Sequence, residues 1–261
     1  MRAVEPASSF TPAIGLLAFT MFVIVTTEFV VVGLLPARAK DLDLSLAEAG
    51  WFVTWFALAA ALLGPPLTML AGRCDPRRVL ITAAIVFAAG NLAIALASHS
   101  SIVVAVRLLQ GCALPAVASV AAVAAARLAG AEREGWAISR VNIGVVAATV
   151  PGVPAGAMAA GESLSSLLGL VVGLWGAAHM AAFVITQVRV MRAGREAAAF
   201  ALSLNISVCN LGIGLGATLG GRIVDHHGVG AVGYGGAAAA AAALLIAIAM
   251  TAARSRAPAT T

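Results

Sequence analysis

The chain has 261 residues, of which 61% are hydrophobic and only 10% charged, and its mean hydropathy is +1.01. A soluble domain carries about 25% charged residues, so water is excluded as the main solvent. The net charge of +5 would point to nucleic acid in a soluble chain. Here, however, the arginines are scattered among short gaps, with no basic stripe and almost no interleaved aromatics, and nucleic-acid binding is excluded.

Eight apolar stretches follow one another at about 13–35, 47–70, 79–98, 102–126, 136–160, 164–188, 198–220 and 230–253. A hydrocarbon core about 30 Å thick is crossed by roughly 20 helical residues. The runs lack the polar alternation of barrel strands. The predicted fold is therefore all-α, a polytopic membrane bundle of about eight transmembrane helices. The first stretch is too long for a secretory signal and contains Glu28, so it reads as a retained span.

Positive charge falls in every second gap. Arg73, Arg77 and Arg78 fill the second, Arg127 and Arg133 the fourth, and Arg189, Arg192 and Arg195 the sixth. Arg254 and Arg256 follow the last stretch, while the odd gaps are balanced, empty or, at 161–163, hold only Glu162. Lys and Arg are retained on the cytoplasmic side, which predicts a multi-pass protein of the cell membrane with both termini cytoplasmic. Cys74 lies in a gap, and Cys112 and Cys209 lie within stretches. That spacing suits small apolar packing and no disulfide or zinc framework.

Two stretches carry small residues at every fourth position. The fifth has Gly144, Ala148, Gly152, Gly156 and Ala160; the seventh has Gly212, Gly216 and Gly220. Such faces let helix backbones approach closely in lipid. Pro151 and Pro154 predict a kink in the fifth, which fits either a bending helix or a static bend. Gly212–Gly216 follows no strand and is not a nucleotide loop.

Charges inside a span cost at least about 2.5–3.5 kcal/mol each. Glu28 and Arg107 each lie roughly 10 Å below the outer surface by helical rise, which makes them candidate partners. Glu28 can alternatively make a fixed tertiary contact, and Arg107 can snorkel outward. Gln110 and Gly111 follow Arg107 on the same face, favouring a polar cavity there. His179, near mid-span, can relay protons, contact substrate or simply pack. Arg140, Asn142 and Asn205 suit interfacial anchoring or interhelical hydrogen bonds. His226 and His227 diverge on a helix and make a poor metal site. No cofactor or metal is implied, and no convergent nucleophile–base pair indicates an enzyme.

Thr27-Glu28-Phe29-Val30-Val31-Val32-Gly33-Leu34-Leu35-Pro36, Arg107-Leu108-Leu109-Gln110-Gly111, and Gly144 through Gly152-Val153-Pro154-Ala155-Gly156 occur in this order. They resemble the first-, fourth- and fifth-helix motifs of the major facilitator superfamily, in its arabinose-efflux and drug:proton antiporter branch. Gly72-Arg73-Cys74-Asp75-Pro76-Arg77-Arg78 is similar to a degenerate form of the family's loop between helices two and three. Leu174-Trp175-Gly176, Ala201–Asn205, Asn210–Gly214 and Gly220–Asp225 resemble the family's helices ten to twelve.

The resemblance implies a twelve-helix plan lacking helices six to nine. It divides the chain into 1–161, the family's helices one to five, and 162–261, a remnant of the second half. It further implies proton-coupled efflux of a small molecule such as a sugar, drug or metabolite. Glu28, Arg107, Gln110 and His179 would serve coupling, and Gly144, Gly152, Pro154 and Gly156 a hinge helix. The rival expectation is a truncated membrane protein that does not transport, or a subunit needing another chain. A homo-oligomer stays open.

Overall fold

The computed structural model describes residues 11–159 and 166–256. Among these the chain is helical: α1 (Thr11–Gly33), α2 (Leu35–Asp41), α3 (Leu46–Ala71), α4 (Pro76–Ala95), α5 (Ser100–Ala129), α6 (Glu134–Ala159), α7 (Ser166–Ala193), α8 (Ala198–His227) and α9 (Val232–Arg256). The long helices fall on the apolar stretches. The short α2 is an addition in the first gap, started by Pro36, whose fixed φ suits a first helical turn. Among the described residues α1, α3, α4, α5 and α8 are long and apolar enough to cross a membrane.

Local chemistry sets the helix ends. Ser45 and Glu48 form a reciprocal capping box at the start of α3, with bonds of 3.1 and 2.8 Å. Asp75 accepts the Arg77 N–H at 2.8 Å and, with Pro76 as the next residue, starts α4. Gly130 and Gly228, both at φ +79°, stop α5 and α8 in a conformation that favours glycine.

In the bundle α1 packs along α6, and α3 lies between α5 and α8. α4 packs on α5, and α7 bridges α6 and α8. Backbones touch where glycine allows it. A Cβ on Gly144 would meet the Ala18 carbonyl of α1, and one on Gly111 the Phe56 carbonyl of α3. Gly64, beside Pro65 and Pro66 in α3, receives the ring of Pro115 from α5, so the proline-bearing segments nest together.

The seventh stretch departs from its expected packing. Among the described residues a Cβ on Gly212, Gly216 or Gly220 of α8 would meet nothing within 4 Å, whereas one on Gly214 would lie 3.4 Å from that of Ala57. The reason lies in the polar side chains that share a face with Gly214. The Ser207 hydroxyl donates to the Ala60 carbonyl at 3.1 Å, and Thr218 meets Thr54 at 3.4 Å. Polar groups have no water partner in lipid, so their face turns inward and the glycine stripe turns outward. The outer coat is apolar: Leu62, Leu96 and Val208 are each more than two-thirds exposed, as a lipid solvent demands.

Candidate functional site

Glu28 borders a cavity of about 100 Å³ enclosed by α1, α5, α6, α7 and α8. Asn142, Thr149, His179, Gln187 and Asn210 supply the other polar lining groups, and Phe29 and Phe183 apolar walls. Among the described residues no Lys or Arg lines it. Across it the Asn142 side-chain amide donates to Gln187 Oε1 at 3.0 Å, tying α6 to α7. Asn210 is buried and gives its amide N–H to the Ile206 carbonyl, leaving its own side-chain oxygen without a partner among the described residues. The chamber thus offers one carboxyl group and several hydrogen-bonding amides inside an apolar shell, the usual composition of a small-molecule site.

Arg107 occupies a different pocket. It is only 1% exposed, so it does not snorkel outward. Its guanidinium lies over the Phe56 ring at 5.2 Å, a cation–π contact, and its Nε has no hydrogen-bond partner among the described residues. Gln110, one turn on, is also buried; it donates to Asn91 at 3.1 Å and to the Phe87 carbonyl at 3.4 Å. The Arg107–Gly111 face therefore packs against α3 and α4 and does not line the Glu28 cavity. No ion pair joins Glu28 to Arg107 among the described residues.

A second hollow, a vestibule of about 640 Å³, opens at the arginine-rich end of the bundle. Arg73, Arg127, Arg195, Glu134 and Glu196 give it charge. Glu134 at the start of α6 accepts from Arg192 at 3.1 Å and Arg195 at 3.5 Å, latching α6 to the α7–α8 turn. Between vestibule and cavity lies a buried apolar cluster of Ala122, Ile138, Met191 and Leu202, one residue each from α5, α6, α7 and α8. On α5 the cluster residue Ala122 also lines the cavity, and on α7 Met191 also lines the vestibule. On α6, Glu134 faces the vestibule, Ile138 the cluster and Asn142 the cavity. The cluster is a plug.

The remaining sequence candidates are distributed as follows. Gly72 caps the end of α3, Asp75 caps α4, and Arg73, Arg77 and Arg78 are exposed around that turn. Gly144 and the buried Ala148 form the contact of α6 with α1. Gly152, Pro154 and Gly156 are within helix α6, but their surroundings lie outside the described residues, as does the segment 160–165. Sequence reasoning missed Gln187, Thr149 and Glu134. It noted Asn142 only as an anchor or interhelical bond, and the latter is what it makes. Asn142 and Gln187 stand 45 positions apart, and only their shared presence in apolar stretches could have flagged them.

Residues 17–194 match the sequence model of the Major Facilitator Superfamily. The uncharacterized MFS-type transporter YtbD of Bacillus subtilis is 37% identical over 145 residues, which is 56% of this chain and 37% of that protein. YbcL of the same organism, also named an uncharacterized MFS-type transporter, is 32% identical over 152 residues, 58% of this chain and 39% of that protein. A chloramphenicol resistance protein of Streptomyces lividans is 32% identical over 188 residues, 70% of this chain and 46% of that protein. The chain spans less than half the length of these relatives.

Proposed function

We propose that the chain, which belongs to the Major Facilitator Superfamily, exports a small molecule across the cell membrane in exchange for protons. The observation that carries this reading is the cavity in which Glu28, an intramembrane carboxyl group, is the charged group among hydrogen-bonding amides. A carboxyl group in such a place can hold either a proton or a polar group of the substrate. Exchange follows when one displaces the other. The relative named for chloramphenicol resistance supports a drug-like substrate; a sugar or metabolite fits the same lining.

Arg107 acts on Glu28 through space from its place on Phe56 and biases which occupant Glu28 prefers. Gln110 positions it by bonding α5 to α4. His179, on the cavity wall, is a second group able to pass a proton. The eight long helices all span, the arginine-rich end is cytoplasmic, and both termini lie there. Residues 1–161 form one transporter portion and 162–261 the other, with α6 flexing through Gly144, Gly152, Pro154 and Gly156. Parting the Glu134 latch and the plug opens the cavity to the cytoplasm; closing them faces it outward.

The test is transport by purified protein in liposomes under an imposed proton gradient, across a panel that includes chloramphenicol. Wild-type protein moves one panel member only with the gradient, and Glu28→Gln and Arg107→Ala each abolish that movement. Normal transport by both variants would sink the mechanism. A second reading, in which the chain works only with another chain, draws on its matching less than half of each relative's length. Co-expression that rescues an inactive wild type would favour it.

A further inference from the structure

A groove of about 660 Å³ runs down the outside of the bundle between α3, α4 and α5. Its walls are apolar for most of their length: Leu67 and Leu70 on α3, Val86 on α4, Leu109 on α5. Small residues, Ala83, Ala113 and Ala116, line its floor and make it a hollow. At its arginine-rich end stand Arg73 and Arg78, with Asp75 between them.

The charges at that end are unbalanced. Asp75 is engaged in capping α4 through the Arg77 N–H. Among the described residues neither Arg73 nor Arg78 takes part in an ion pair, and both are exposed. On α4, Arg78, Thr82 and Val86 follow at i, i+4 spacing, so one helix face passes from cation to hydroxyl to hydrocarbon. From Arg78 to Val86 this face descends about 12 Å, most of the roughly 15 Å depth of one leaflet's hydrocarbon.

We infer that this groove is a binding site for one anionic phospholipid of the leaflet at the arginine-rich end. Its phosphate rests on Arg73 and Arg78, and one acyl chain lies along α3, α4 and α5 over Ala113. Charge complementarity selects the occupant. A zwitterionic lipid brings a cation of its own to the two arginines, and a soluble anion leaves the hydrocarbon channel unfilled. Basic pockets between membrane helices bind anionic headgroups for the same reason.

The test is native mass spectrometry of the purified full chain in detergent, titrated with dioleoyl phosphatidylglycerol or dioleoyl phosphatidylcholine. One phosphatidylglycerol is retained at concentrations where phosphatidylcholine is not. Arg73→Ala/Arg78→Ala weakens that retention about thirtyfold, whereas Arg73→Lys/Arg78→Lys keeps most of it. Ala113→Phe, which fills the hollow and leaves the charges, also removes the bound lipid. Arg222→Ala, at the other end of the bundle, changes nothing and reports that mutation alone does not strip lipid. Equal retention of the two lipids overturns the proposal. So does an Arg73→Ala/Arg78→Ala protein that binds phosphatidylglycerol as the Arg222→Ala protein does.

Discussion

Helices α6 and α8 carry the same sequence pattern, small residues at every fourth position, and use it in opposite ways. On α6, Gly144 lets the α1 backbone come so near that a methyl group would meet the Ala18 carbonyl. On α8, a Cβ added to Gly212, Gly216 or Gly220 would meet nothing within 4 Å among the described residues, and the helix meets α3 through Gly214 and its hydroxyl neighbours. In lipid, apolar surface gives no direction to packing. A small residue permits close approach; a polar group that needs a partner decides whether the permission is used.

The largest effect that separates the two stripes comes from adding a methyl group to the used one. Gly144→Ala, and likewise Gly111→Ala against Phe56, should destabilise the protein by about 1–3 kcal/mol or more, because the obstacle is backbone and cannot turn aside. Unfolding in mixed micelles would read this, and wild-type stability in both variants would break the comparison. The same change on the unused stripe should reverse sign. Gly212→Ala or Gly216→Ala gains about 0.5–1 kcal/mol from restricting the unfolded chain and improving helix propensity. A loss there would mean that something packs on the stripe. The smallest effect tests the cause: Ser207→Ala, which deletes the bond to Ala60, should cost about 0.6 kcal/mol. No cost would leave the orientation of α8 without its stated reason.

Much of the architecture was legible because lipid imposes few rules and imposes them strictly. Span length follows from bilayer thickness, and charge placement from which gaps hold arginine. The expense of a charge in a span picked out Glu28, which does line the cavity. It also picked out Arg107, but whether that arginine faces the cavity or Phe56 depends on how α5 is rotated against α3. That rotation is set by Gly111 against the Phe56 carbonyl and by Gln110 reaching Asn91, contacts that no spacing along one helix reveals. The plug was invisible for a different reason. Ile138, Met191 and Leu202 look like any other apolar residues until four helices bring them to one level.

That plug has an electrical consequence. A membrane holds a potential only if nothing that crosses it conducts, and a protein with a polar chamber at one level and a charged vestibule at another is a candidate leak. Side chains of Ile, Met and Leu, closed together with an alanine, leave no surface for a water file to wet, and a dewetted constriction stops ions and protons alike. Under the proposed export, the four residues would serve as insulation beside the chamber that holds Glu28.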